Sequence, residues 1–113
     1  METYTVHEIY NALIAAGFPH TPEDGTVCRT MDAIAGAESS WEKNCVQQGQ
    51  PYRLTGWGTW QITPGDEIPS VGVDHALLDL NTNAKAAYYL WCRRGYEPWT
   101  TYNNGTIKGI FDE

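Results

Sequence analysis

The sequence predicts a mainly α domain with an irregular middle region that has room only for short β structure. Three observations lead there. Apolar residues recur with helical period in two N-terminal stretches and one C-terminal stretch, and capping residues stand where those stretches begin and end. Between them lies a segment rich in Gly, Pro, Trp, Gln and Thr. With 113 residues, 42% of them apolar, the chain suits one domain over residues 1–113 with a real core.

A first helix is expected over Val6–Ala16. Thr5 and Glu8 have capping-box spacing, Val6, Ile9, Tyr10, Leu13 and Ile14 share a helical stripe, and Gly17 stands at the natural stop. Residues 18–25 carry two prolines and read as a turn. A second helix is expected over Thr26–Ser39, where Val27, Met31 and Ile34 recur at i, i+4 and i+7. Glu38 falls at i+11, on that same apolar face and at the helix's end. A carboxylate there is misplaced for a surface charge, although a Glu turned outward to a backbone amide or to Lys43 fits the same position.

Residues 41–72 read as loop, with space for short strands or one helical turn. Residues 74–80 can form a helical turn. A third helix is expected over residues 83–94, with Ala84, Ala87, Tyr88, Trp91 and Cys92 on one side, Asp79 placed as a cap and Gly95 as the stop. Pro98 and Trp99 then open a short helix, and Tyr102-Asn103-Asn104-Gly105 reads as a turn.

Composition excludes several functions. Acidic residues outnumber basic ones 14 to 7, a net charge of −7, and no basic run exists, so nucleic-acid binding lacks its electrostatic term. The same charge does not draw the chain to an anionic membrane, and no stretch approaches the roughly 20 apolar residues of a membrane span. Residues 1–14 have no cationic start followed by an apolar block, so no signal peptide is expected. Cys28, Cys45 and Cys92 are odd in number and irregular in spacing; buried free thiols are expected, with a Cys28–Cys45 bridge left open. His7, His20 and His75 add no zinc-like pattern, and no metal or cofactor is expected.

Five Trp and seven Tyr supply both core volume and flat faces for sugar rings. Cutting a glycosidic bond needs a proton donor at the leaving oxygen, and a Glu among apolar neighbours keeps its proton to higher pH because burial disfavours its charged form. Glu38, with the Val27–Met31–Ile34 stripe behind it and Trp41 nearby, is the candidate acid.

Three strings then occur in order: Ala37-Glu38-Ser39-Ser40, Gly58-Thr59-Trp60-Gln61-Ile62 and Tyr102-Asn103-Asn104-Gly105. Together they resemble the soluble lytic transglycosylase and goose-type lysozyme superfamily, over a matched region from about residue 27 to residue 105. The run from Asp79 through Asn83 and Ala84 to Pro98-Trp99-Thr100-Thr101-Tyr102 is similar to short members from actinobacterial wall enzymes and their phages. The resemblance implies a small lysozyme-like fold and cleavage of the β-1,4 bond between N-acetylmuramic acid and N-acetylglucosamine in peptidoglycan. It implies Glu38 as the catalytic acid/base and Gln61 as a cleft residue bonding sugar N-acetyl or hydroxyl groups. Tyr102 would reach toward Glu38 or the reacting sugar, Asn103 would contact substrate, and Trp57 and Trp60 are candidate stacking faces, Trp60 equally a core residue. Ser39 and Ser40 would orient the helix end beside the substrate. The chain departs from the family pattern at Thr59, where Leu is usual, in the stretch holding Cys45 and Gln47-Gln48-Gly49-Gln50, and in its small size.

A lytic transglycosylase needs one carboxyl group, whereas an inverting lysozyme needs a second one roughly 6.5–9.5 Å away. Asp66, Asp74 and Asp79 are the candidates for the second, each equally readable as a cap or surface charge, and the one-carboxylate route is favoured. Two other classes compete: a silent glycan-binding or phage-tail module, and a stem-peptide peptidase using a zinc set or a Cys–His pair. The expected partner is the peptidoglycan strand, met by a monomer. The Met1 start without an export signal suggests a phage enzyme, released from the host cytoplasm through a holin or carried on the virion.

Overall fold

The computed structural model describes residues 2–21, 26–63, 65 and 68–107. It is mainly α, with helices α1 (Val6–Ala16), α2 (Thr26–Ser39), α3 (Leu80–Arg94) and the single turn α4 (Thr100–Asn103). A two-stranded antiparallel sheet joins β1 (Val46–Gln47) to β2 (Gly56–Trp57), pairing Val46 with Trp57 and Gln47 with Gly56. Short 3-10 turns lie at Tyr52–Leu54 and Asp74–Leu78.

Helix α1 begins where the capping box requires. Thr5 Oγ1 accepts from the Glu8 amide at 3.1 Å, and Glu8 Oε1 accepts from the Thr5 amide at 2.9 Å. It ends at Gly17, whose φ of 117° only glycine adopts without strain. The buried set is Ile9, Ala12 and Leu13; Val6 and Ile14 of the expected stripe are 56% and 39% exposed. The packed face is therefore turned toward Ala12, because α1 lies against both α3 and α2.

Helix α2 buries Cys28, Met31, Ala33, Ile34 and Ala35, a wide face that suits a helix packed from more than one side. Val27 is only half-buried. Its end is abrupt: Ser40 and Trp41 take φ values of 54° and 58°, a left-handed conformation that costs a non-glycine residue roughly 1–2 kcal/mol. Trp41 is held there by Nε1 bonds to the backbone oxygen and Oδ1 of Asp32 at 3.1 and 2.9 Å. Its ring lies so close to Gly36 that a Cβ at that position would sit 2.3 Å from it. Lys43 pairs with Glu2 at 3.8 Å, which removes it as a partner for Glu38.

Helix α3 starts at Leu80, three residues before the expected start at Asn83, because Asp79 caps it directly: Oδ2 accepts from the Thr82 amide at 2.9 Å and its hydroxyl at 3.0 Å. Asn83 is thus an interior helix residue, and it is fully buried. Its Oδ1 accepts from the Trp60 amide at 2.9 Å, while Nδ2 donates to Trp57 O at 2.8 Å and Leu77 O at 2.7 Å. One amide thereby ties α3 to the Trp57–Ile62 turn and to the preceding 3-10 turn. At Gly58, inside that turn, φ is 77° and a Cβ would meet Leu77 O at 2.4 Å.

The core gathers around two tryptophans. Trp60 is completely buried and donates from Nε1 to Met31 O of α2 at 2.8 Å. Trp99, 2% exposed, donates from Nε1 to Trp60 O at 2.9 Å. Both indoles bury large area with their polar atom satisfied. Of the expected α3 face, Ala84 and Ala87 are buried, but Tyr88 and Trp91 are half-buried and Cys92 is exposed. All three cysteines are free, as expected; burial, expected for all of them, holds for Cys28, while Cys45 is intermediate.

Candidate active site

Glu38 sits one residue before the end of α2, half-buried, on the wall of an open cleft of about 260 Å³. The hairpin contributes Gln47, Gln48, Leu54 and Gly56, the following turn Gln61 and Thr63, and the C-terminal segment Pro98, Trp99 and Thr100. Among the described residues of this lining, Glu38 is the only ionisable side chain.

Two contacts fix it. Its backbone carbonyl, one of the orphan acceptors of a helix's last turn, accepts from Gln47 Nε2 at 2.9 Å. Its carboxyl Oε2 accepts from the Thr101 hydroxyl at 2.8 Å, a bond between residues 63 positions apart. Burial pushes the carboxyl above the usual glutamate range, and the Thr101 bond opposes that rise in part. A proton is retained to higher pH than on an exposed Glu, as a general acid requires.

Gln61 lies in the cleft as expected, in a left-handed backbone conformation with φ 49°. Its amide nitrogen is occupied by the protein, donating to Gly58 O at 2.8 Å and Cys45 O at 3.3 Å. Its Oε1 is shielded and has no partner, and it is packed so tightly on Gly56 that a Cβ there would lie 2.3 Å away. Gln61 therefore braces the turn that forms the cleft floor, with one acceptor atom unused.

Other expected contacts are not brought to Glu38. Tyr102 is 40% exposed and stacks on Tyr96 at 4.5 Å, outside the cleft lining; its neighbour Thr101 makes the contact expected of it. Successive helical residues diverge by about 100°, so a register one residue off swings the side chain away. Asn103 donates from Nδ2 to Glu97 O at 3.0 Å and also lies outside the lining. Ser39 is buried and donates to Ala35 O at 2.9 Å, a contact within the last turns of its own helix. Trp60 is core and offers no stacking face. Trp57 borders a different cavity, with Tyr52, Gln48 and Gln50, because it alternates with Gly56 along β2 and faces the other side of the hairpin.

Two of the three candidate aspartates lie among the described residues, and each is engaged by another side chain or helix end. Asp79 is the α3 cap. Asp74 accepts from the Tyr52 hydroxyl at 2.6 Å. Asp66 lies outside the described residues. Thr101, which bonds the Glu38 carboxyl, and Asn83, which braces the turn carrying Gln61, are positions around the candidate site that the sequence pattern does not single out. Thr101 stands in the Pro98–Tyr102 run with nothing local to mark it, and Asn83 lies near a helix start, where Asn is common. Among the described residues, no three His, Cys, Asp or Glu side chains cluster as a metal site would.

Compared with known proteins, the sequence matches no family model and no curated protein.

Proposed function

We propose that this protein cleaves the glycan strands of peptidoglycan as a lytic transglycosylase of small lysozyme-like fold, with Glu38 as its single acid/base. The observation that carries the reading is a desolvated carboxyl group on the wall of an open cleft whose described lining has no other ionisable side chain. Glu38 gives its proton to the glycosidic oxygen as the bond to C1 of the muramic ring breaks. The carboxylate then takes the proton of the C6 hydroxyl, whose oxygen closes on C1 to form a 1,6-anhydro ring. No water is consumed, and one carboxyl group serves both steps.

An inverting hydrolase would need a second carboxylate to activate water. The engagement of Asp74 by Tyr52 and of Asp79 by α3 supports the one-carboxylate route. The fold reading draws support from the helical core, the short hairpin beside the acid and the position of the acid at a helix end.

Digesting purified peptidoglycan and weighing the fragments tests the proposal. Anhydro-muramic ends, lighter than reducing ends by one water, are expected. Reducing muramic ends would replace transglycosylation by hydrolysis, and peptide-only fragments or intact walls would overturn glycan cleavage.

A further inference from the structure

We infer that Thr101 is a positioning residue for this acid: its hydroxyl engages Oε2 of Glu38 and leaves Oε1 as the oxygen that carries the proton to the substrate. The inference rests on the function proposed above and adds a residue and an atom to it.

The geometry is specific. Thr101 Oγ1 lies 2.8 Å from Oε2, whereas no hydrogen bond among the described residues reaches Oε1. Among the described residues, the shielded polar atoms left without a partner are Trp57 Nε1 and Gln61 Oε1, and Glu38 Oε1 is not one of them. Oε1 is thus the carboxyl oxygen that no described residue holds. When Glu38 is ionised, the Thr101 hydroxyl can only donate, and the oxygen that accepts is the poorer base. The proton therefore returns to Oε1. From there it goes to the glycosidic oxygen as the C1–O bond breaks, and Oε1 later receives the C6 hydroxyl proton; the proton on Thr101 never leaves. Because Glu38 is neutral before the step and anionic as it proceeds, the bond strengthens toward the transition state, which is where an interaction raises kcat.

Among the described residues, no other charged side chain lines the cleft. The hairpin side of the cleft presents Gln47, Gln48 and Leu54, and the C-terminal side Pro98, Trp99 and Thr100. On α2 the nearest other acid, Asp32, is engaged by Trp41, and on α4 Tyr102 is stacked on Tyr96.

The test compares Thr101→Val and Thr101→Ser with the parent chain. On purified peptidoglycan, Thr101→Val should lower kcat by about 10–100-fold, the worth of a hydrogen bond to a charged group, with little change in KM. The alkaline limb of its pH–rate profile should move to higher pH, because an interaction favouring the charged carboxylate is gone. Thr101→Ser should restore both. Independently of activity, the carboxyl carbon of Glu38, followed by NMR in glutamate-labelled protein, should titrate at higher pH in Thr101→Val than in the parent. An unmoved NMR midpoint, or a kcat loss that Thr101→Ser does not rescue, overturns the inference. If the midpoint moves while parent protein leaves walls intact, the contact stands and the glycan-cleavage reading falls.

Discussion

A carboxyl group that is half-buried and held by one hydroxyl weakens the fold when it ionises, and Glu38 is in that position. Its folded pKa is raised, so the stability it contributes is fully present below the ordinary glutamate range. That contribution is lost as pH rises through the elevated folded value. Replacing Glu38 by Gln removes the loss. We expect Glu38→Gln to melt at a higher temperature than the parent at neutral pH, with the gap closing in acid, as calorimetry across pH would report. The same variant should lose about 10²–10⁴-fold in wall-clearing rate, the usual contribution of a general acid. A variant that melts lower at neutral pH, or still clears walls, would separate Glu38 from this role. Asp32 is also raised by burial, against its Trp41 bond, and acts with the same sign; Glu8, lowered chiefly by its bond to the Thr5 backbone, acts with the opposite one.

Among the elements, α3 sets the position of the site without contributing to the described lining of the cleft. Its cap can be tested directly. Asp79→Ala should cost about 1 kcal/mol in denaturant unfolding and leave specific activity unchanged, since Asp79 accepts from both the amide and the hydroxyl of Thr82 as the cap of α3. Loss of activity without loss of stability would instead revive Asp79 as a second carboxylate. Asn83 is the larger lever. Truncating it to Ala strands the Trp60 amide and the Leu77 carbonyl, and leaves the Trp57 carbonyl with only its bond from the Ile62 amide. Each buried group left unpaired costs about 1–3 kcal/mol, so Asn83→Ala should be among the most destabilising single changes. It should also reduce activity in the fraction that stays folded, because the turn it braces carries Gln61. Unfolding curves and activity per folded molecule, measured together, decide this.

For the whole molecule, charge is the governing quantity. The protein carries a net −7, and peptidoglycan, the substrate proposed for it, also bears carboxylates, so on that proposal encounter is opposed at low salt. Raising ionic strength from about 0.01 M to about 0.15 M shortens the Debye length from roughly 30 Å to roughly 8 Å. Wall clearing should accelerate over that range, as turbidity would show; a rate that falls with salt would mean that a local positive surface guides binding. Helices, hairpin and tail are held together through the Met31–Trp60–Trp99 chain of indole bonds, which joins α2 to the turn and the turn to the C-terminal segment.

The bounds of α1 and α2 were legible in the sequence because their determinants are local: a capping box, a glycine stop and a 3.6-residue apolar period. Asp79 was legible as a cap for the same reason, and Glu38 stood out as a carboxylate on an apolar stripe. The rest depended on contacts between distant residues. Whether Tyr102 or Thr101 meets Glu38 turns on the rotation of a single helical turn, which no local pattern fixes. Trp57 and Trp60 look alike in the sequence, yet the two-residue sheet and the Asn83 bonds send one to the back of the hairpin and the other into the core. Local sequence set the elements and the candidate acid; packing across the chain decided which side chains face that acid, because orientation is a property of the partner surfaces rather than of either segment alone.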